Sequence, residues 1–84
     1  LKEEITKEGY YRLSARLEVD YLNEIYKLNL PESENYETLG GLVVNHTEEI
    51  PEVGETIIID NLQIHILETS NTKIELIEIR PLEG

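Results

Sequence analysis

The N-terminal half of the chain changes its hydrophobic period once, close to Val19. Over residues 10–17 apolar and polar side chains alternate, which predicts a half-buried strand. From Val19 to Tyr26 the apolar residues recur at helical spacing, and the helix is expected to end before Pro31 because the residue before a proline avoids helical angles. Residues 1–8 are mostly polar or charged, which predicts a frayed lead or a linker.

A second helical pattern begins with two adjacent glycines. Its apolar face is formed by Leu39, Leu42, Val43 and His46. Asn35 and Thr38 are the candidate N-terminal caps. Gly40 and Gly41 each cost about 1 kcal/mol relative to alanine inside a helix, so we expect close packing of this helix on the sheet or on the first helix to offset that cost. A ligand phosphate at the helix start is the alternative explanation.

The C-terminal part of the chain predicts a three-stranded meander. Pro51 and Gly54 mark the turn that precedes it, and residues 60–61 (Asp-Asn) predict a tight hairpin. In the last strand the apolar parity slips between Leu76 and Ile77, which predicts a bulge or a strand covered on both faces.

These elements predict an α+β fold in the order β-α-α-β-β-β. We expect an antiparallel four-stranded sheet with two helices packed on one face. The predicted organisation is a single domain over residues 9–80, followed by a tail over residues 81–84.

Composition and charge narrow the classes of function. The 84 residues include 18 acidic and 7 basic side chains, a net charge of −11 that repels phosphate backbones, so no nucleic-acid partner is expected. There is no cysteine, which excludes disulfides and thiolate chemistry, and no apolar run of about 18 residues for membrane insertion. A chain that starts at Leu1 and lacks methionine is interpreted as a piece of a longer polypeptide.

The acidic residues form two clusters in the sequence, one with Glu32, Glu34 and Glu37 and one with Glu48, Glu49, Glu52 and Glu55. Neither has a defined ligand spacing, so a solvated acidic rim is favoured and no metal site is assigned. His46, near the apolar face of its helix, and His65, on the outward face of a strand, are not expected to converge. No serine lies beside a glycine elbow or a histidine, so neither an enzyme activity nor a catalytic residue is predicted.

Five short motifs, in register, resemble the CorC/HlyC transporter-associated domain. The matching segments are residues 9–13, 17–22, 38–43, 50–55 and 62–79. Residues 38–43 are similar to the Thr-x-Ala/Gly-Gly helix of the family, and residues 50–55 to its Pro-x-x-Gly-Glu turn. Thr38, Gly40, Gly41, Pro51 and Gly54 are therefore the expected shape-determining residues. The chain departs from the family pattern at Ala15, Glu18 and Ile64.

The resemblance implies a functional setting. Domains of this family lie at the C-terminal end of hemolysin-like bacterial membrane proteins, after a membrane region and a pair of CBS domains. The implied role is non-catalytic regulation of magnesium or cobalt efflux at the cytoplasmic face of the inner membrane. The implied partners are the CBS domains and the membrane region of the parent protein, with a homodimer as a further candidate.

A ligand-sensing module remains the alternative function. The family fold is similar to a subdomain of FAD-binding oxidoreductases, and Gly40 with Gly41 would be the weak candidates for a cofactor contact. The ligand would be an adenine nucleotide, a flavin such as FAD, or a divalent cation. No resident cofactor is predicted.

Overall fold

One antiparallel sheet and two helices make up the fold. The computed structural model describes residues 1–82. The elements are β1 (Glu3–Ile5), β2 (Tyr11–Ser14), α1 (Val19–Tyr26), α2 (Leu39–Thr47), β3 (Thr56–Ile59), β4 (Leu62–Thr69) and β5 (Ile74–Pro81). The strands pair in the order β1-β2-β5-β4-β3. Within residues 1–82, neither helix has the length and the apolar character that a membrane-spanning helix requires.

The sheet has five strands, and the prediction of four was wrong by the N-terminal strand. β1 lies within the segment predicted to be a lead, with Glu3 opposite Leu13 and Ile5 opposite Tyr11 of β2. All three residues of β1 are exposed, so no apolar alternation marks the strand in the sequence. Its pairing is made by the backbone, and that is invisible to hydrophobic periodicity.

The predicted tail also belongs partly to the sheet, because β5 continues through Pro81. Pro81 lies opposite Leu62 of β4, and Leu82 donates its backbone N–H to the carbonyl of Asn61 at 2.7 Å. The last two residues of the predicted tail, 83–84, lie outside the described residues.

The core lies on one face of the sheet, called here the inner face. Cross-strand rows such as Leu13–Ile77–Ile66 build an apolar layer on that face. Buried residues of both helices join the same cluster, among them Leu22 of α1 and Leu42 of α2. The predicted packing of two helices on one face of the sheet matches this arrangement. The opposite side of the sheet, the outer face, carries polar residues.

Helix α1 begins and ends through contacts outside the helix. Glu18 at its N-cap makes no side-chain cap bond, and instead the Val19 amide donates to the carbonyl of Glu37 at 2.9 Å. At the other end Asn23 donates to the carbonyl of Leu30 at 2.8 Å and accepts from its amide at 2.7 Å. These bonds tie Leu30 to Asn23 of α1. The helix ends before Pro31, as the sequence predicts.

The turns of the meander follow the sequence closely. Ile59 pairs with Leu62, and Asp60 adopts a φ of 53°, the left-handed conformation expected in a tight hairpin. The irregularity predicted near Leu76 lies in its partner strand, where the register of β4 shifts on both sides of Glu68. Within β5 itself, Leu76 is half-buried and Ile77 is fully buried.

Candidate functional site

The predicted glycine helix packs against the end of β2. The hydroxyl of Thr38 caps α2 by accepting a hydrogen bond from the Gly41 amide at 3.1 Å. The Gly40 amide donates to the carbonyl of Ala15 at 2.9 Å. A Cβ atom at Gly40 would lie 3.1 Å from the Ala15 Cβ and 3.3 Å from the Ala15 oxygen. The close approach of Ala15 therefore leaves little room for a side chain at Gly40.

The first amides of α2 are all used within the chain. Leu39 donates to the carbonyl of Leu17, Gly40 to that of Ala15 and Gly41 to the Thr38 hydroxyl. The first intrahelical bond joins the Leu42 amide to the Thr38 carbonyl at 2.9 Å. A helix N-terminus binds a phosphate through free amides, and here those amides already have partners.

The other predicted shape-determining residues lie in different local settings. A Cβ at Gly41 would come within 3.0 Å of the Cβ of Tyr36. Pro51 is buried. Gly54 has a φ of +94°, and its amide donates to the carbonyl of Ile66 at 2.8 Å, which ties the turn to β4. A positive φ of this kind favours glycine.

A cleft of about 560 Å³, called here the glycine cleft, opens beside the first turns of α2. Its apolar surface comes from Ala15, Val44, Ile50 and Ile74. Its basic residues are Arg16 and Lys73, and no acidic residue lines it. The ion pairs found among residues 1–82 include neither cation.

A second cleft, of about 300 Å³ and called here the acidic cleft, lies between the start of α1 and the loop before α2. Its acidic residues are Glu18, Asp20, Glu32 and Glu37. Within the described part of the chain, no three His, Cys, Asp or Glu side chains come together closely enough to hold a metal ion. The arrangement suits a hydrated cation better than a fully coordinated one, since Mg²⁺ usually keeps several of its waters.

The outer face of the sheet holds a buried carboxylate between two arginines. Glu78 is 2% exposed, and it accepts hydrogen bonds from Nε of Arg12 at 2.8 Å and from Nε of Arg80 at 2.6 Å. Burial raises the pKa of Glu78, but the two arginines together outweigh it and hold the pKa below its ordinary value. Arg80 also stacks over the ring of Tyr10 at 4.7 Å. This cluster links the side chains of β2 and β5 on the outer face.

A second polar cluster ties β1 to α1. The carboxylate of Glu3 accepts hydrogen bonds from the hydroxyls of Tyr26 at 2.5 Å and Tyr21 at 2.7 Å. These bonds, the one from Tyr26 first, lower the pKa of Glu3. The same contact raises the pKa of Tyr26 to about 12. The N-terminal strand is thereby held to the helix as well as to the sheet.

The two histidines lie on different elements. His46 is exposed on α2, so its prediction on or near the apolar face was wrong. His65 lies on the outer face, where its Nδ1 is 2.8 Å from the hydroxyl of Thr56. The helices cover the inner face, so the histidines do not converge.

Sequence reasoning missed the two clusters and the basic side of the glycine cleft. Glu78 and Arg80 are separated by one residue in β5, but Arg12 is distant in the sequence. Only the register of β2 on β5 brings Arg12 beside Glu78. Arg16 and Lys73 line the same cleft, and the bond from the Ala15 amide to the Glu75 carbonyl joins the segments that carry them. No local pattern signals either pairing.

Comparison with known proteins assigns this chain to a family. The CorC_HlyC family, described as the transporter associated domain, matches residues 4–83. The chain belongs to this family. Among solved structures, the transporter-associated domain is similar to a conserved protein of unknown function from Haemophilus influenzae Rd KW20. The identity is 28% and the TM-score 0.89, with 98% of this chain and all of that chain covered.

Two further relatives carry descriptive names. A transporter associated domain from a Xylella fastidiosa Temecula1 hemolysin, solved in complex with Mg²⁺ and Mn²⁺, is 22% identical with a TM-score of 0.82, covering 96% of this chain and 98% of that one. At that identity the likeness shows the fold alone. Hemolysin C of Rickettsia prowazekii is 30% identical over 73 residues, which are 84% of the transporter-associated domain and 24% of the relative.

The curated relatives are much longer than this domain. The chain spans between 18% and 24% of the length of the first three that it matches.

Proposed function

We propose that this transporter-associated domain is a non-catalytic regulatory module of a bacterial CBS-domain membrane protein. It acts at the cytoplasmic face of the inner membrane and modulates divalent cation transport, with magnesium and cobalt as the candidate ions. Membership of the family over residues 4–83 carries the proposal. Supporting it, a transporter associated domain with a TM-score of 0.79 comes from a CBS domain protein of Porphyromonas gingivalis.

The mode of action proposed is contact with neighbouring domains. Two of the polar side chains described above serve the fold itself, because Thr38 caps α2 and Glu78 is held between arginines. The partners would be the CBS domains and the membrane region of the parent protein, or a second copy of this domain.

Removal of the domain from its parent protein tests this function. Cells that carry a parent protein ending before Glu3, where β1 begins, are expected to show an altered tolerance to cobalt and an altered magnesium content. The truncated protein is expected to remain in the membrane. An immunoblot of the membrane fraction measures its amount as the control. Identical cobalt tolerance with equal membrane levels of both proteins would refute the regulatory role.

Sensing of a divalent cation is the second candidate function. The acidic cleft supports it, since four carboxylates surround one opening on a chain with a net charge of −11. The Xylella fastidiosa domain, which has the same fold, was solved in complex with Mg²⁺ and Mn²⁺. The cation would keep most of its waters and interact with the carboxylates through them.

Titration of the domain with MgCl₂ tests the second candidate. Amide resonances near Glu18 and Glu37 are expected to shift saturably in NMR spectra, at constant ionic strength maintained with NaCl. The double variant Glu18→Gln/Glu37→Gln should weaken this binding several-fold, because it removes two of the charges that attract the ion. The matched variant Glu48→Gln/Glu49→Gln removes the same charge elsewhere and should retain binding. Equal weakening in both variants would reduce the effect to general electrostatics.

A further inference from the structure

The glycine cleft has the composition of a small-molecule site. Its volume of about 560 Å³ lies within the range of about 300–1,000 Å³ that is typical of ligand pockets. Such pockets combine a mainly apolar lining with a few polar groups that converge on the ligand. Here Val44, Ile50 and Ile74 supply apolar surface, and Arg16 and Lys73 supply the charge.

The two cations are placed by a well-ordered backbone. The Ala15 amide bonds to the carbonyl of Glu75 at 3.0 Å, while its carbonyl accepts from Gly40. The Arg16 amide bonds to the Ser14 hydroxyl at 3.2 Å. The Lys73 carbonyl accepts from the Ser70 amide at 2.8 Å, which closes the β4–β5 hairpin. These bonds hold the backbone segments from which both side chains extend at the cleft.

Charge distinguishes this cleft from the acidic cleft, although Arg16 also lines a third cleft together with Glu3 and Glu18. The chain has 18 acidic and 7 basic residues, yet none of the acidic ones lines the glycine cleft. Arg16 and Lys73 are absent from the ion pairs found in residues 1–82. Two cations without an anionic partner beside an apolar surface are complementary to a ligand that has an acidic group and an apolar body.

We propose that the glycine cleft binds a small organic anion, a carboxylate or phosphate ester attached to an apolar or aromatic body. The body packs on Val44, Ile50 and Ile74, and the acidic group pairs with Arg16 and Lys73. The helix amides take no part, because they are bonded within the chain. The overall charge of −11 repels polyanions, so the ligand carries one or two charges. This site is separate from the acidic cleft and does not depend on cation sensing.

Phenyl phosphate is a suitable probe because it combines both chemical features. Inorganic phosphate carries the charge alone, and benzyl alcohol carries the aromatic body alone. The solved Haemophilus influenzae chain consists of this domain alone, because this chain covers all of it. The domain is therefore expected to fold in isolation. Amide resonances of Gly40, Gly41, Thr72 and Ile74 report on the cleft in NMR titrations.

Saturable shifts of these resonances with phenyl phosphate are expected, with affinity at least about tenfold greater than for either half-probe. The double variant Arg16→Gln/Lys73→Gln should lose about tenfold in affinity, the sum of two partly exposed ion pairs. The matched variant Lys7→Gln/Lys27→Gln carries the same net charge and should bind as the wild type does.

Three results would overturn the site. They are an absence of saturable shifts, shifts centred on other cations such as Arg12, and an equal loss of affinity in the two double variants. A spectrum of each variant without ligand shows that it is folded, so a loss of binding can be assigned to the side chains removed.

Discussion

Replacement of Gly40 by valine is expected to lower the free energy of unfolding by about 2–3 kcal/mol, which is the cost of overpacking a close contact. The new Cβ would lie 3.1 Å from the Ala15 Cβ and 3.3 Å from its carbonyl oxygen. The oxygen belongs to the backbone and accepts the hydrogen bond of Gly40 itself, so moving it away would weaken that hydrogen bond. The better helix propensity of valine, a few tenths of a kcal/mol relative to glycine, does not offset this. Urea denaturation measures the change.

Asn45→Val is the matched control for this variant. Asn45 is exposed on the same helix, and asparagine and valine have similar helix propensities. We expect a change within about 0.5 kcal/mol for an exposed site of this kind. Equal destabilisation by the two substitutions would show that α2 does not depend on its approach to Ala15.

Removal of both arginines around Glu78 is the second large effect expected. In the Arg12→Met/Arg80→Met variant the carboxylate loses both hydrogen-bond partners, and breaking a buried ion pair from one side costs about 3–5 kcal/mol. We expect the lower end of that range, because the arginine side chains are 48% and 41% exposed and water can enter in their place. Urea denaturation again gives the free energy.

A compensating substitution separates the buried charge from general packing. Addition of Glu78→Leu to the double variant should restore much of the lost stability, because no unpaired charge is then buried. Glu78→Gln alone should cost much less than the loss of both arginines. A triple variant that is less stable than the double variant would contradict this account of Glu78.

The pH dependence of this effect has a definite sign. The pKa of Glu78 is below the ordinary value of 4.5, so its contribution to stability is present above that pH and is lost as the pH falls through the folded-state pKa. Without the arginines, burial raises the pKa of Glu78, and acidification should then stabilise the carboxyl group. The stability difference between wild type and the arginine variant is therefore expected to shrink as the pH falls.

The sequence predicted the elements that bury apolar side chains. Helix α1 was found through its apolar spacing and Pro31, and the β3–β4 hairpin through Asp60 and Asn61. These signals are local, because each depends on residues a few positions apart. The close packing of Gly40 was also predictable, since a glycine in a helix interior needs a structural reason.

The missed features depend on contacts between distant residues. β1 has no buried side chain, and its link to Tyr21 and Tyr26 through Glu3 spans about 20 residues of sequence. Glu78 alternates correctly with Ile77 and Ile79, so nothing in its position indicates burial between two arginines. The basic side of the glycine cleft likewise exists only once β5 lies beside the end of β2. Hydrophobic periodicity does not specify how neighbouring strands are aligned. The missed contacts depend on that alignment.

Helix α2 lies directly against the turn at Ala15. We propose that this contact gives the domain its shape. Through-hydrogen-bond scalar coupling between the Gly40 amide nitrogen and the Ala15 carbonyl carbon, measured by NMR on labelled protein, tests this most directly. We predict a resolved coupling together with a strong nuclear Overhauser effect from the Gly40 α protons to the Ala15 methyl group. If both signals are absent while α2 remains helical, the helix stands clear of the sheet and the account is wrong.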